Sequence, residues 1–522
     1  MSDQPRAARP SGPGDDRRRS SRDHRDAQGR QRGAARAEGR TARSAAAPSQ
    51  RARRGDAPRT AALETLRAVA GSDAYANLVL PPLLRQRRLH GRDAAFATEL
   101  TYGTLRLRGR YDAVLAQVVD RDLDRLDPVV LDLLRLGAHQ LLGMRVPVHA
   151  AVSETVALAR EQAGAGAAQL VNAVLRRVSE HPLEDWLHRI AEAADPAGTD
   201  ASARLAVVDS HPAWVVRAFR EALVGHGRPA DELEAVLEAD NEAPAVTLVA
   251  RPGLVEVDEL VAGGVDAVPG RLAGTAAVLR AGDPGELAAV RQGFAGVQDE
   301  GSQLVTLALA AAPLDGRDER WLDLAAGPGG KAALLASAAA RRGARLVANE
   351  VHPHRAELVR QSLRAVPAEA VEEIRVGDGR DVGQQEPGAY DRVLLDAPCT
   401  GLGALRRRPE SRWRRTPADL AALGQLQRGL LASALAAVRP GGVVAYVTCS
   451  PHLAETTLVV TDALRAAARA GTPAQVVDAR SVVLALVPDG QPAPDLPERP
   501  DVQLWPHVHG TDAMHLTLLR RD

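Results

Sequence analysis

Two cysteines occur among 522 residues, and each follows a strand-like apolar run. Cys399 stands in Leu394-Leu395-Asp396-Ala397-Pro398-Cys399-Thr400-Gly401, and Cys449 in Val444-Ala445-Tyr446-Val447-Thr448-Cys449-Ser450-Pro451. The single lysine, Lys331, closes the glycine-rich turn Ala325-Ala326-Gly327-Pro328-Gly329-Gly330-Lys331. Elsewhere arginine carries the positive charge, so one ammonium beside such a turn points to chemistry rather than to filler. A thiolate is a strong nucleophile but only a few per cent populated near neutrality, so a working thiol needs local activation. A metal site at the two thiols is not expected, because no His cluster or further Cys supplies a third ligand. For the same reason His211 is read as structural, with no second ligand at a useful spacing.

Several acidic residues fall at the ends of strand-like runs near this turn. Trp321–Leu324 leads into the glycines, and a helix is expected from about Lys331. A second strand, Ala344–Ala348, ends at Asn349-Glu350, 27 residues after Asp323. An acid there can accept both hydroxyls of a ribose. A third, Ile374–Val376, ends at Gly377-Asp378, where a carboxylate can meet an adenine amino group. A fourth, Arg392–Leu395, ends at Asp396. In open α/β sheets ligands lie outside the carboxyl ends of the strands, near the switch in strand order. The glycine spacing matches neither G-x-G-x-x-G nor G-x-x-x-x-G-K-[ST]. An adenosine ligand without a pyrophosphate, such as S-adenosylmethionine, fits better than a dinucleotide. Cys399 would follow the fourth strand and Cys449 the fifth. Neighbouring strands run about 4.8 Å apart, so both thiols would open onto one cleft.

The elements that position these groups follow from patterning. Aromatic residues are only 2 % of the chain, so the cores must be built from Leu, Val and Ala. Residues 1–57 carry fifteen Arg against seven acidic residues and almost no large apolar side chains, which reads as a disordered basic tail. Over 58–182 apolar residues recur at three and four spacing, as in Leu63, Leu66 and Val69 or Leu131, Leu134 and Leu141, predicting an all-helical bundle. Residues 183–243 read as a helical linker and 244–300 as a small α/β subdomain, with strands at Ala245–Ala250 and Thr275–Leu279. From 301 to 522 strand and helix alternate, the pattern of a parallel, doubly wound sheet. The N-terminus has no apolar stretch of signal-peptide type, and Leu304–Leu314 is too short to span a bilayer. A cytoplasmic protein is expected. The formal net charge is zero, which excludes no nucleic-acid partner because the charge is unevenly distributed.

With these motifs together, the chain resembles the Sun/Fmu (RsmB-like) RNA cytosine-5 methyltransferases, which join a NusB-like helical domain to a Rossmann-like methyltransferase domain. The resemblance runs from about residue 58 to the C-terminus. It includes Phe96-Ala97-Thr98-Glu99-Leu100-Thr101-Tyr102-Gly103, Val171-Asn172-Ala173-Val174-Leu175-Arg176-Arg177, Gln298-Asp299-Glu300-Gly301-Ser302-Gln303, the glycine turn and both cysteine motifs. It implies that Cys449 is the nucleophile and Cys399 assists release, while Asp396 contacts the base or holds Lys331. Ala325, Ala326, Gly327, Pro328, Gly329, Gly330 and Lys331 would line the methionine end of S-adenosylmethionine. Glu350 would take the ribose hydroxyls, Asp378 would lie at the adenine, and Asp396 would border the cofactor.

Departures from the family pattern are Ala325 and Ala332 in the glycine motif, Glu350 for Asp, and Ala454-Glu455-Thr456 for Glu-Glu-Asn. Near the C-terminus, Asp512-Ala513-Met514-His515 replaces a more aromatic Asp-Gly-Phe-Phe. Arg406, Arg407, Arg408, Arg412, Trp413, Arg414 and Arg415 are expected to face RNA.

The function implied is methylation of cytosine C5 in RNA, with small-subunit ribosomal RNA as the expected target and a monomer as the expected state. A tRNA-directed enzyme of the same chemistry, a non-catalytic RNA-binding or ribosome assembly factor, and a nicotinamide-dependent oxidoreductase are the competing readings. The glycine spacing disfavours the last.

Overall fold

The computed structural model describes residues 56–72 and 74–522. The basic tail expected over 1–57 therefore lies outside the described residues, except for its last two. The first region is helical, as its periodicity predicts. Its helices include Ala57–Gly71, Gly91–Arg106, Arg108–Val118, Pro128–Leu142 and Val148–Val178. Pro128 starts its helix where a missing N–H costs nothing, and the Asp127 carboxylate accepts from Val129 N at 2.8 Å. Leu63, Leu100, Leu115, Leu133 and Leu175 are buried together in the bundle core. At Gly137 the helices pack closely, since a Cβ there would fall 2.5 Å from Leu175. Trp186 and Ile190, on the helix Leu183–Ala194, bury in this same core.

Among the described residues two sheets follow. The smaller has order β2-β3-β1-β4, all antiparallel, from β1 (Val246–Ala250), β2 (Asp266–Pro269), β3 (Ala276–Ala281) and β4 (Ala295–Val297). The larger is built from β5 (Arg320–Asp323), β6 (Arg345–Glu350), β7 (Val371–Val376), β8 (Tyr390–Asp396), β9 (Val438–Thr448), β10 (Ala474–Val477), β11 (Val502–Gln503) and β12 (His515–Arg521). Its order is β10-β12-β9-β8-β5-β6-β7, with β11 paired to β12. Strands β5 to β9 are mutually parallel, whereas β12 runs antiparallel to β9. The sheet is thus doubly wound but mixed, not wholly parallel. The reversal arises because β12 returns beside β9 rather than crossing over it. Helices cover both faces, so β8 and β9 read as nearly continuous apolar runs with Val393, Leu394, Val444 and Val447 buried. The strand order changes direction between β5 and β8, and there the glycine turn and Asp396 meet.

The arginine-rich segment 406–415 does not form the RNA-facing strip that the sequence suggests. Arg412 is fully buried, and its guanidinium donates to Arg106 O, Ser210 O, Asn241 Oδ1 and Asp240 O. Arg106 returns the contact through Arg406 O. Arg407 pairs with Asp299 and Asp512, and Arg414 donates to Val69 O and Ala74 O. Arg412 and Arg414, with Arg106 in return, join this segment to the helical bundle, while Arg407 ties it to residues beside the large sheet. A guanidinium offers five donors in a rigid fork, so one side chain can satisfy carbonyls from several chain segments at once. Only Arg408 in this group is exposed, lying over the Tyr75 ring.

Removing a buried charge that fills so many acceptors costs roughly 3 kcal/mol or more. Arg412→Ala is accordingly expected to lower the urea midpoint strongly, whereas Arg415→Ala should change stability by about 0.5 kcal/mol or less. Equal midpoints for the two variants would show that the seam contributes nothing.

Candidate active site

The two thiols come together because their strands are neighbours. β8 and β9 pair in parallel with Leu395 opposite Tyr446 and Asp396 opposite Val447. Pairing continues past the strand end through Ala397 N to Val447 O at 2.9 Å, and Gly403 N reaches Cys449 O at 2.9 Å. Cys399 Sγ and Cys449 Sγ end 3.4 Å apart, both free thiols. The S–H of Cys399, donated to Cys449, holds the Cys449 thiol below the ordinary range against the upward push of burial. Lys331 and Arg408 favour its thiolate further. The same sulfur contact, with burial, drives Cys399 well upward. Cys449 is thus the more readily ionised of the two sulfurs.

A residue that the motif reading passed over holds both loops. Glu455 is fully buried, yet its carboxylate accepts from Thr400 N at 2.8 Å, Ser450 Oγ at 2.7 Å, Gln427 Nε2 at 3.2 Å and the Thr400 hydroxyl. Thr400 follows Cys399 and Ser450 follows Cys449. The sequence signalled Glu455 only as part of a departure from the family pattern, because its partners lie 5 to 55 positions away.

Lys331 enters on the first turn of the helix Gly330–Ala340 and donates to Asp396 Oδ2 at 2.8 Å. Burial would lower its pKa, but Asp396 outweighs that and raises it, so the ammonium is retained. The turn itself needs its glycines. Gly329 has φ 110°, and a Cβ at Gly327 would lie 2.3 Å from Glu350 Oε2. Glu350, the last residue of β6, accepts from Gly327 N and His352 N, both at 3.0 Å. Arg355 pairs with it at 3.8 Å and also donates to Gly327 O. Ala326 N binds Asn349 O at 2.8 Å, and the Asn349 amide bridges Leu324 O and Gly377 O. Ala325 and Pro328 complete the turn.

Asp378 stands apart from this group. It caps the helix Gly379–Gln385 through Arg380 N, and the Arg380 side chain holds its carboxyl below the usual range. Asp323, at the end of β5, is a second group that the motif reading did not assign. Burial, then the nearby Asp396 charge, raises its pKa to about 7, and its Oδ1 has no hydrogen-bond partner.

The resemblance implies S-adenosylmethionine in this cradle, and the residues fit such a ligand. Buried acceptors at Asp323 Oδ1 and Gln298 Oε1 lack donors, and the Gln298 oxygen lies 3.9 Å from the open position above Gly330. A carboxylate offers about four lone-pair sites, so Glu350 keeps acceptor capacity beyond its two amide bonds. An aminium group and two ribose hydroxyls are donors of the kind this set lacks.

Comparison with known proteins agrees with the geometry. The family described as 16S rRNA methyltransferase RsmB/F matches residues 309–520, and the NusB family matches 56–180. A putative methyltransferase of Mycobacterium tuberculosis (strain H37Rv), Rv1407, is 54 % identical over 466 residues, covering 89 % of this chain and 97 % of that protein. The chain belongs to the RsmB/F methyltransferase family. The probable ribosomal RNA small subunit methyltransferase B of Bacillus subtilis (strain 168) is 30 % identical over 413 residues, covering 77 % of this chain and 87 % of its own length. The crystal structure of PH0851 shares the fold, with a TM-score of 0.70 at 21 % identity over 89 % of this chain and 98 % of that one.

In this RsmB/F-type chain the two thiols should differ in reactivity. Iodoacetamide is expected to alkylate Cys449 well before Cys399 at pH 7.5, as read by peptide mass mapping. Below its pKa the Cys449 rate should fall about tenfold per pH unit, because only the thiolate reacts. Lys331→Met, which removes a neighbouring cation, should slow it by roughly 3-fold or more, one pKa unit being a factor of ten in charge state. Equal rates at both sulfurs would contradict the arrangement.

Proposed function

We propose that this methyltransferase methylates C5 of cytosine in RNA through a covalent bond between Cys449 and C6, with small-subunit ribosomal RNA as its target. The observation that carries the reading is the 3.4 Å pair of sulfurs beside the Lys331–Asp396 ion pair. Carbon 5 of cytosine is a weak nucleophile within an aromatic ring. Addition of the Cys449 thiolate at C6 forms the S–C6 bond, and the displaced electron pair makes C5 enamine-like. Lys331 keeps Oδ2 of Asp396, leaving Oδ1 for the N3 and amino edge of the base, where a proton carried between Oδ1 and N3 would neutralise the negative charge that the addition puts on the ring. S-adenosylmethionine, when bound, supplies an electrophilic methyl group on sulfonium. The glycine turn, Glu350 and Asp323 would hold it, with Asp378 at the adenine once Arg380 yields. After methylation a water molecule takes the C5 proton, the C5–C6 double bond re-forms as the S–C6 bond breaks, Cys449 departs as thiolate, and N3 gives its proton back to Asp396. Cys399 stands within reach of that sulfur, placed to assist the release.

The target pyrimidine must be unpaired to reach a thiol in a cleft, which favours single-stranded or partly assembled RNA. Exposed Arg408, which favours the Cys449 thiolate, is placed to meet phosphate at the same time.

Transfer of labelled methyl to RNA from cells lacking the gene tests this reading. Cys449→Ala is expected to lose transfer by at least about 10³-fold, in line with loss of a covalent nucleophile. Cys399→Ala should accumulate a protein–RNA adduct that survives denaturing electrophoresis. Wild-type turnover by Cys449→Ala would reject the mechanism. Bisulfite mapping of total RNA with and without the gene then names the target. A lost 5-methylcytosine in transfer RNA would keep the chemistry and replace the substrate, and no lost site anywhere would favour a binding role.

A further inference from the structure

Behind the Cys449 loop, three residues far apart in sequence bring donor atoms together: His226, Asp501 and His515. Their ligand atoms all lie within 4.8 Å of one another. Both imidazoles are buried, and the two rings sit 5.4 Å apart at 48°. His226 follows the helix Ala213–Gly225, His515 opens β12 opposite Thr448, and Asp501 immediately precedes β11. Spacing alone could not have revealed the set.

The hydrogen-bond pattern fixes what each ring offers. His226 Nε2 lies 3.0 Å from Pro451 O, and a carbonyl only accepts, so Nε2 carries the hydrogen. Thr456 Oγ1 lies 3.4 Å from the same nitrogen. The buried Nδ1 faces Asp501 Oδ2 at 3.7 Å. A bare nitrogen and a carboxylate oxygen in a buried site repel unless a proton or a metal ion stands between them. His515 Nε2 lies 3.0 Å from Thr517 Oγ1, a hydroxyl able to accept from it and so leave Nδ1 bare. In both rings Nδ1 is buried with no hydrogen-bond partner. Arg499 forks the Asp501 carboxylate from the other side, at 3.0 and 3.3 Å, and anchors itself on Gly225 O at 3.0 Å.

We propose that His226 Nδ1, His515 Nδ1 and Asp501 Oδ2 bind a divalent zinc ion, with water completing the coordination. Two imidazoles and a carboxylate are a zinc-type donor set, and their ligand atoms, all within 4.8 Å of one another, need only close in to reach bonds of roughly 2.1 Å. The contacts behind the donors are those that metal-bound histidines use, each ring's other N–H being held by an oxygen. Arg499 takes the same part for the carboxylate. Such an ion would fasten the helical segment before the small sheet to β12 and, through Pro451, to the loop that carries Cys449. Its role is to tie these elements together, and it touches no reacting atom.

The test uses the full chain without a histidine tag, stripped by chelator and titrated with Zn²⁺ or Co²⁺. One equivalent is expected to bind, with a cobalt spectrum free of thiolate charge-transfer absorption. The double variant Cys399→Ser/Cys449→Ser should bind equally well, while His515→Phe and Asp501→Asn should bind at least tenfold more weakly. Zn²⁺ should raise the melting temperature of the wild type and leave that of His515→Phe unchanged. Absence of a bound equivalent in the wild type would overturn the proposal, and a protonated His226 paired with Asp501 would then explain the geometry. Loss of binding in the cysteine variant, or full binding in His515→Phe, would overturn it equally. If His515→Phe fails to fold by circular dichroism, Asp501→Asn, at the more exposed end of the site, carries the comparison.

Discussion

The arrangement of the two thiols depends on one buried carboxylate. Glu455 has no cation against it among the hydrogen bonds it makes, yet it joins the loop after β8 to the loop after β9. Parallel pairing sets the strands at a fixed separation, but the residues beyond the last ladder bond are free to splay. Cross-bonding Thr400 and Ser450 to a single acid removes that freedom and brings the sulfurs into contact. A buried charge is costly unless its lone pairs are filled, and here a backbone amide, two hydroxyls and a side-chain amide fill them. The whole set must therefore form together or not at all.

The opposite wall of the cleft follows a different logic. There the backbone shapes the space, and side chains that would occupy it are absent. Gly327 lets the chain pass against Glu350, Gly329 turns it through a left-handed conformation, and Lys331 is delivered to Asp396 on the next helical turn. Because Asp323, Asp396 and Glu350 are close enough to feel one another, a single ammonium among them offsets part of their mutual repulsion. The only lysine in the chain thus stands among three acidic groups.

Much of this was legible in the sequence because it depends on short local patterns. The glycine turn, the acids at strand ends and the two cysteine motifs each announce their place within a few residues, and the helical periodicity marks the first domain. What the sequence hid are long-range pairings. Arginine looks alike whether it meets solvent or four buried carbonyls, so Arg412 reads as surface until its partners from residues 106 to 241 are assembled around it. Glu455 and Asp323 were equally opaque, their importance lying in what folds against them. The antiparallel β12 was missed for a topological reason, since strand direction is set by the connection and not by the residues of the strand.

The buried guanidinium of Arg412 also bears on how this architecture could have diversified. Its acceptors come from the helix ending at Arg106, from the turn at Ser210 and from Asp240-Asn241, so the helical half cannot be exchanged for another module without stranding the charge. Any change that draws these segments apart leaves a buried guanidinium, or the oxygens it fills, without partners.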